Sequence, residues 1–268
     1  MEHKHNTKIK PVMDTAARID PQAPVMEFFK TIRTNIEFSS IDSKLRTISV
    51  TSSSQGEGKS SVLINLALSF AVIGRRVLII DADLRRPSIH RSFTVSNRRG
   101  LTNALLAHDD CSNYVLTTAY ENLTIMTSGP IPPNPAELLM SAAMEHLIES
   151  AREAYDMVFI DCPPAGIVTD AAIVATKVDG TIFVARSGFT DKRLLAQATD
   201  HLKQVQARVL GFIFNGVEQD SDDYYYQNYY YTEGTPRRKR GRLHSPASQD
   251  QSGIRKVLSP EIISERHD

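Results

Sequence analysis

The stretch SSQGEGKSS, residues 53–61, decides the fold of this 268-residue chain. TISVTS precedes it at residues 47–52, and the apolar run NLALSFAVIG follows it at residues 65–74. Within the stretch, Gly58, Lys59 and Ser60 are the last three residues of a G-x-x-x-x-G-K-[ST] pattern, and Ser53 stands in place of its first glycine. A strand, a glycine-containing loop and a helix in this order predict a phosphate-binding loop.

The residue types of this loop suit a nucleotide. Gly56 and Gly58 allow backbone N–H groups to turn inward, and the helix that begins near Lys59 directs the positive end of its dipole at the same point. Lys59 can reach the β- and γ-phosphates, and the hydroxyl of Ser60 can ligate magnesium. The alternative is a glycine-rich surface turn. The residues predicted to bind the nucleotide are Gly56, Glu57, Gly58, Lys59, Ser60 and Ser61.

Three carboxylates stand where apolar strands end. Asp81 ends VLIID, Asp83 follows two residues later, and Asp161 ends MVFID. In an open parallel sheet, ligands bind beyond the carboxyl ends of the strands, so all three are expected to face the phosphate loop. Asp161 fits the Walker B position, where it would hold magnesium with Ser60 and Asp81. Alternatively, each aspartate only caps the next helix.

Asp81 and Asp83 also form an unusual pair. Near a γ-phosphate, one carboxylate can hold metal-bound water while the other orients or deprotonates an incoming hydroxyl. The sequence does not divide those roles. Arg85 and Arg86 follow, and either can stabilise phosphate charge in a transition state or form a solvated basic turn. The predicted catalytic residues are Lys59, Asp81, Asp83, Asp161 and Arg85.

Strands alternate with helices along most of the chain, and several strands are apolar on both faces. This pattern predicts an α/β fold of three layers, in which a mainly parallel sheet carries helices on both faces, as in P-loop NTPases. Predicted helices cover residues 25–39, 59–74, 101–107, 136–153, 168–176 and 191–205. Predicted strands cover 47–52, 76–83, 123–129, 155–164, 180–186 and 208–217.

Six of the nine tyrosines lie between residues 224 and 231, directly after three aspartates. Core residues recur every two or every three to four positions, and this block does neither, so we expect it to be solvated. The phenolic hydroxyls are therefore candidate substrates. We divide the chain into a flexible start at 1–23, a catalytic domain at 24–219, the tyrosine cluster at 220–231 and a disordered basic, Ser-rich tail at 232–268.

Composition limits the function classes. The 31 basic and 31 acidic residues balance, so net charge does not favour nucleic acid as a partner. Apolar runs stay below the roughly 18 residues of a membrane span, and the start has no signal-type apolar core. Cys111 and Cys162 lack metal-ligand spacing and fit a reducing cytosol. The basic run Arg237 to Arg242 either contacts anionic lipid or phosphotyrosine, or only keeps the tail soluble.

Together these segments resemble the bacterial tyrosine kinase family, whose members are P-loop proteins unlike eukaryotic protein kinases. The similarity runs from about Pro24 to Tyr231. It is carried by five segments: GEGKS at 56–60, VLIIDADLRRP at 77–87, GPIPPNPAELL at 129–139, YDMVFIDCPP at 155–164 and the tyrosine cluster.

The resemblance implies a kinase that uses ATP and Mg²⁺ and phosphorylates a neighbour's tyrosine cluster in trans. It also implies a separate membrane adaptor, a cytoplasmic location at the inner face of the membrane, a homo-oligomeric ring and a cognate phosphotyrosine phosphatase. The physiological role would be control of capsular or exopolysaccharide synthesis and export. The implied acceptors are Tyr224, Tyr225, Tyr226, Tyr229, Tyr230 and Tyr231.

Further residues follow from the family pattern. Glu27, Lys30 and Arg33 match its ring-forming helix, with Lys30 in place of an arginine. Asn215 matches an adenine-contacting asparagine, although a plain turn residue also fits. Partitioning and division-site ATPases are the nearest alternative, but they carry an extra lysine where this chain has Ser54. A non-catalytic scaffold phosphorylated by another kinase is the third possibility.

Overall fold

The computed structural model describes residues 25–39 and 45–217 together with the backbone of 253–258. The predicted flexible start, the tyrosine cluster and the basic run at 237–242 lie outside the described residues. The helices are α1 Val25–Phe38, α2 Lys59–Ala71, α3 Ile89–Ser92, α4 Leu101–Ala107, α5 Pro135–Met140, α6 Ala142–Ala154, α7 Asp170–Ala175 and α8 Lys192–Gln204. The strands are β1 Thr47–Ser52, β2 Val77–Asp81, β3 Leu116–Thr117, β4 Leu123–Met126, β5 Met157–Asp161, β6 Gly180–Arg186, β7 Val209–Val217 and β8 Gly253–Leu258.

Within the described residues these strands form one sheet of eight, in the order β3-β4-β2-β5-β1-β6-β7-β8. The six central strands run parallel, and the edge strands β3 and β8 pair antiparallel. Helices cover both faces. The predicted three-layer α/β fold is confirmed.

Two apolar cores lie on opposite faces of the sheet because neighbouring strand residues point in opposite directions. In β2, Val77 and Ile79 join the core under α1 and α2, whereas Leu78 and Ile80 join the core under α4 to α8. Such strands are buried on both sides, which explains their continuous apolar sequence. Both described cysteines are free and buried, in agreement with packing roles.

The helices show the periodicity that buries one face. In α8 the buried residues Leu195, Ala198, Thr199 and Leu202 follow helical spacing. Its start is fixed by Asp191, whose carboxylate accepts a 2.7 Å hydrogen bond from the backbone N–H of Arg193. No helix within 25–39 or 45–217 is long and apolar enough to cross a membrane.

The prediction of one helix over residues 136–153 is wrong. The structure has two helices, α5 and α6, and Ser141 between them is extended, with φ −63° and ψ 157°. The hydroxyl of Ser141 donates to the carbonyl of Leu138 at 2.7 Å. A serine can replace helix hydrogen bonds with such local ones, which is why it favours helix boundaries.

The tail also differs from the sequence prediction, which expected no regular structure after residue 231. Gly253–Leu258 forms β8 and pairs antiparallel with β7. Without this pairing, β7 would expose a row of unpaired N–H and C=O groups at the edge of the sheet. The short elements α3 and β3 were not predicted either, because they are only four and two residues long.

The topology brings the candidate site together at the centre of the sheet. β1 lies between β5 and β6, and β5 also pairs with β2. Asp81 and Asp161 are direct partners in the β2–β5 register. The loop after β1 and the carboxylates after β2 and β5 therefore share one edge.

A carboxylate at the opposite edge fastens β1 to the rest of the sheet. Oδ2 of Asp179 accepts backbone N–H bonds from Arg46 and Thr47, each at 2.8 Å, and a 3.0 Å bond from the Thr47 hydroxyl. Oδ1 accepts from Nη1 of Arg152 at 2.9 Å. Burial alone would raise the pKa of Asp179, but the donors from Arg46 and Thr47, together with Arg152, hold it below its ordinary value.

Replacement of Asp179 by alanine should lower the free energy of unfolding at pH 7 by about 2–4 kcal/mol, because it leaves two N–H groups without their acceptor and removes the shorter of the two ion pairs of Arg152. Urea unfolding measures this loss. Because the folded pKa of Asp179 is lowered, its ionised form stabilises the protein above its unfolded pKa of about 3.9, and that gain disappears as the pH falls through the folded pKa.

The difference between wild type and the Asp179→Ala variant should therefore be full above about pH 5 and shrink steadily below about pH 4. Asp200→Ala is the control, since Asp200 is exposed and its ion pair with Lys203 is loose, at 3.7 Å. A difference for Asp179→Ala that stays constant from pH 7 to pH 3 would contradict the role given to the ionised carboxylate.

Candidate active site

The loop between β1 and α2 has the backbone of a phosphate-binding loop. Gly56 and Gly58 have φ of 82° and 88°, values that favour glycine. A Cβ on Gly58 would lie 2.1 Å from Nδ2 of Asn215, so a side chain has no room there. The first turn of α2 follows at once, with its N–H groups directed toward the loop. These features fit an anion at this position.

Lys59 is the centre of the site. Its ammonium lies 3.0 Å from Oδ1 of Asp161 and 3.2 Å from Oδ2 of Asp83. Burial would lower the pKa of Lys59, but the charges of Asp161, Asp83 and Asp81 outweigh it and raise the pKa well above its ordinary value. Lys59 is therefore positively charged at neutral pH.

Ser60 and Ser88 form a hydroxyl relay onto Asp161. The hydroxyl of Ser60 donates to Oδ2 of Asp161 at 2.6 Å, and the hydroxyl of Ser88 donates to Ser60 at 2.9 Å. Ser88 was not predicted as a site residue. It follows a turn, and nothing in its local sequence indicates that the turn brings it back to the loop.

Asp81 is fully buried and bonded to backbone. Its Oδ2 accepts from the N–H groups of Ser88 and Ile89, both at 3.0 Å, and its Oδ1 accepts from the N–H of Asp83 at 3.3 Å. Burial, followed by the charge of Asp161, raises the pKa of Asp81 to about 7. Asp81 thus shapes the turn from β2 to α3 and carries less negative charge than an ordinary aspartate.

Asp83 differs from Asp81 because its side chain lines the open cleft. Its Oδ1 accepts from the N–H of Arg86 at 2.9 Å, and its Oδ2 faces Lys59. One oxygen is thus fixed by the backbone while the other stays at the lysine. Of the two carboxylates, Asp83 is the one that a molecule in the cleft can reach.

Arg85 binds the carboxylate of Asp170, a residue that the sequence analysis did not predict as part of the site. Its guanidinium makes a two-point contact with Asp170, at 2.9 and 3.0 Å. Asp170 is fully buried in the first turn of α7. The pair ties the turn after β2 to α7, and Arg85 also lines the cleft. Residues 170 and 85 are far apart in the chain, so no local signal pairs them.

Glu57 was predicted to bind nucleotide, but its side chain turns into the protein. It is 1% exposed and accepts bonds from the Ser53 hydroxyl at 2.7 Å, the Ser54 N–H at 3.0 Å and the hydroxyl of Thr190. These donors satisfy a carboxylate that has no ion pair within residues 25–39 and 45–217. Glu57 therefore braces the loop from behind, and it is not among the residues that line the cleft.

Asn215 lies at the end of β7 and donates from Nδ2 to the carbonyl of Glu57 at 3.0 Å. The structure thus places it against the backbone of the phosphate loop. The loop after β6 lies on the same side, where the ring of Phe189 is half exposed near Gly56, with the guanidinium of Arg186 5.5 Å from the ring centre. These residues border the end of the loop that is farther from Asp83.

The cleft has a volume of about 550 Å³, enough for a nucleotide. Asp81 and Asp161 lie behind Lys59 and Ser60, fully buried. In the described part of the chain, no three His, Cys, Asp or Glu side chains are grouped to hold a metal alone. Magnesium sites that use substrate phosphates need only one or two protein ligands. The predicted residues that line the cleft are Gly56, Gly58, Lys59, Ser60, Ser61, Asp83 and Arg85.

The three residues predicted for a ring interface lie on α1, away from the cleft. Glu27 and Lys30 are exposed and form an ion pair with each other at 2.5 Å. Arg33 instead donates to the carbonyl of Ser69 in α2. It therefore joins two helices of the same chain, whereas the side chains of Glu27 and Lys30 are about half exposed.

Comparisons with known proteins agree with this geometry. Residues 45–209 match the AAA domain family. Tyrosine-protein kinase YwqD of Bacillus subtilis (strain 168) is 43% identical over 217 residues, which are 81% of this chain and 91% of that protein. Putative tyrosine-protein kinase CapB of Staphylococcus aureus is 34% identical over 213 residues, 80% of this chain and 92% of CapB.

A solved structure adds the fold. The kinase domain of Escherichia coli tyrosine kinase ETK superposes with a TM-score of 0.72 at 31% identity, over 89% of this chain and 88% of that domain. The resemblance found in the sequence is thereby confirmed. Identity at this level over almost the whole length of relatives named tyrosine-protein kinases means that the chain belongs to the bacterial tyrosine kinase family.

Proposed function

We propose that the protein is an ATP-dependent protein-tyrosine kinase that phosphorylates the tyrosine cluster of a neighbouring copy and thereby regulates capsular or exopolysaccharide synthesis and export. The observation that carries this proposal is the position of Asp83. It lies at the open cleft, 3.2 Å from the ammonium of a phosphate-loop lysine. A second carboxylate at that point suits a reaction in which a hydroxyl loses its proton.

Different residues of the cleft are proposed to bind the phosphates of ATP and the magnesium ion. Lys59 and the backbone N–H groups of residues 56–61 hold the phosphates of ATP. Ser60 and Asp161 are the proposed ligands of Mg²⁺, either directly or through water, and Asp81 supports them from behind. When bound, Mg²⁺ would neutralise charge on the phosphates.

In the proposed step, the phenolic oxygen of a tyrosine forms a bond to the γ-phosphorus of ATP, and the bond from that phosphorus to the β–γ bridging oxygen breaks. ADP takes the bonding electrons. Asp83 orients the phenol and accepts its proton. Arg85, held by Asp170, is directed at the cleft, where its positive charge favours the charge that develops on the phosphoryl oxygens.

The wider setting follows from the family. We propose that a separate membrane adaptor activates the protein and holds it at the inner face of the cell membrane. We also propose a homo-oligomeric ring that uses Glu27 and Lys30 of α1, and a phosphotyrosine phosphatase that reverses the reaction. Arg33 supports the ring indirectly, since it fixes α1 on α2.

An ATPase that positions other proteins is the second candidate. Such ATPases need an additional lysine at the position of Ser54. Here Ser54 lines the cleft and bonds through its backbone N–H and hydroxyl to Glu57, at 3.0 and 3.3 Å, so this position supplies a hydroxyl and no ammonium group. The residue type at this position favours the kinase.

Lys59→Met tests the kinase directly. The purified variant, incubated with MgATP and the cytoplasmic tail of the adaptor, should produce at least about 100-fold less phosphotyrosine than wild type, because the phosphates lose their buried cation. Anti-phosphotyrosine blotting and mass spectrometry measure the product. A variant with all six cluster tyrosines changed to phenylalanine should also give no autophosphorylation signal, although it keeps its nucleotide site.

The two variants should complement each other when mixed. The phenylalanine variant supplies the active cleft and the Lys59→Met chain supplies the acceptor, so phosphate should appear on the Lys59→Met chain only. Phosphotyrosine on Lys59→Met alone would rule out the proposed autokinase. ATP hydrolysis without any phosphotyrosine in the wild type would favour the positioning ATPase.

Asp83→Asn tests the proposed base. The rate of tyrosine phosphorylation should fall by about 10²–10⁴-fold, since the amide cannot take the phenolic proton. Binding of a fluorescent ATP analogue should change by no more than about threefold if Asp83 acts in the chemical step rather than in binding.

Glu145→Asn provides the control for Asp83→Asn, because Glu145 is an exposed carboxylate on α6 whose partner is Lys177. It should leave both the rate and nucleotide binding unchanged. If Asp83→Asn weakens nucleotide binding as much as it slows phosphorylation, Asp83 is a binding group and the base must be sought elsewhere.

A further inference from the structure

A second groove opens directly beside the catalytic cleft, with a volume of about 590 Å³. It shares Arg85 and Arg86 with the cleft, so the two spaces adjoin at these side chains. Its lining contains four basic side chains and no acidic one. We call it the arginine groove, and it is lined by Arg85, Arg86, Pro87, His90, Arg91, Asn97 and residues 129–131.

Two arginine charges in this groove are not neutralised by the protein. Arg91 is exposed and has no acidic partner among the described residues 25–39 and 45–217. Arg86 donates to the neutral amide oxygen of Gln55 at 2.7 Å. Arg85, in contrast, is paired with Asp170. The charge of the groove therefore comes from Arg86 and Arg91.

His90 adds a polar group but no charge at neutral pH. Its partial burial, and then the charge of Arg91, lower the pKa of His90 below its ordinary value. Its Nδ1 is buried and has no hydrogen-bond partner in the described part of the chain. Because this atom is buried, it is not available to a docked chain, and the charged contacts of the groove fall to Arg86 and Arg91.

The far wall of the groove is held rigidly in place. Asn97 bonds through its side-chain amide to both the N–H and the carbonyl of Gly129, at 3.0 and 2.9 Å. Gly100 packs so closely that a Cβ would lie 2.0 Å from the carbonyl of Thr127. Next to this wall, Ile131 is 64% exposed and supplies apolar surface. A preformed wall lowers the entropy that a docked chain must lose.

We propose that the arginine groove docks the acidic start of the tyrosine cluster of a second copy of this chain, and so selects tyrosines that follow aspartates. Asp222 and Asp223 precede the first three tyrosines without a gap. With these carboxylates beside Arg86 and Arg91, the tyrosines after them enter the adjoining cleft. The inference rests on the proposed kinase function and adds its peptide specificity.

Chain reach points to a second copy as the source. β7 ends at Val217, and β2, which leads into the groove, lies four strands away in the sheet. At about 4.8 Å per strand this is about 19 Å, even before the loop beyond β2 is counted. From Val217, Asp222 and Asp223 are five and six residues away and reach at most about 18 and 22 Å when fully extended. A chain's own aspartates would therefore need an almost fully extended segment to approach its own groove, whereas those of a second copy carry no such constraint.

The test measures binding without ATP. A fluorescent peptide of residues 218–231 is titrated into the full chain, and anisotropy gives the Kd. Arg91→Glu should weaken binding about three- to tenfold, since it replaces attraction by repulsion across an exposed contact. Arg75→Glu, an equal charge change at an exposed arginine before β2 at the opposite edge, should leave the Kd unchanged.

A double-mutant cycle assigns the contact. A peptide with Asp222 and Asp223 changed to asparagine should bind the wild-type chain more weakly, and Arg91→Glu should then have little further effect. A peptide with both residues changed to lysine should bind Arg91→Glu better than it binds wild type. In the kinase assay, Arg91→Glu should raise the KM for the Lys59→Met acceptor chain and leave the KM for ATP unchanged.

Equal Kd values for Arg91→Glu and wild type would overturn the proposal, and so would equal weakening by Arg75→Glu, which would show a general effect of net charge. If Arg91→Glu weakens only activation by the adaptor tail, the groove serves the adaptor and the proposal is wrong. Failure of the kinase function is seen separately, as absent phosphotyrosine in wild type with MgATP, and does not affect the peptide Kd.

Discussion

The buried ammonium of Lys59 is the interaction on which the site depends. Three carboxylates, on Asp81, Asp83 and Asp161, are buried at the same edge of the sheet. Charges removed from water are tolerated only when they are paired and hydrogen-bonded. Lys59 lies 3.0 and 3.2 Å from two of these carboxylates. Arg85 is bound to Asp170. Among the described residues, Lys59 is therefore the cation that compensates the buried carboxylates at this edge of the sheet.

The three carboxylates differ because their surroundings differ. Asp161 accepts from Lys59 and the Ser60 hydroxyl, Asp81 accepts from backbone N–H groups, and Asp83 reaches the cleft. Burial and the nearby charge of Asp161 raise the pKa of Asp81 to about 7, which relieves repulsion within the cluster. Similar residues thus acquire separate roles through environment alone. A phosphate that binds Lys59 must compete with the carboxylates that already contact its ammonium. Nucleotide binding at this lysine therefore exchanges a carboxylate partner for a phosphate partner.

The sequence predicted those parts of the structure that depend on local pattern. Apolar strands that alternate with helices gave the parallel sheet, and the rule that ligands bind beyond strand ends brought Lys59, Asp83 and Asp161 together. Sequence reasoning failed for side-chain contacts between residues that are far apart in the chain. The inward turn of Glu57 depends on Thr190, and the partner of Arg85 is Asp170. Loop side chains have no period that fixes their direction, so such pairs become visible only in three dimensions.

The edge strand β8 constrains how copies of this chain can associate. Its antiparallel pairing satisfies β7, and at the other edge β3 has only two residues. The six residues of β8, and not β7, therefore form the outer strand at this edge, whereas β3 is too short to template a further strand. Extension of the sheet into another molecule would have to occur at β8. Gly253 is the register partner of Val217, so these two residues, which flank the segment that carries the tyrosine cluster, lie side by side at the carboxyl end of β7. This is the edge of the sheet to which Asn215 and the phosphate loop belong.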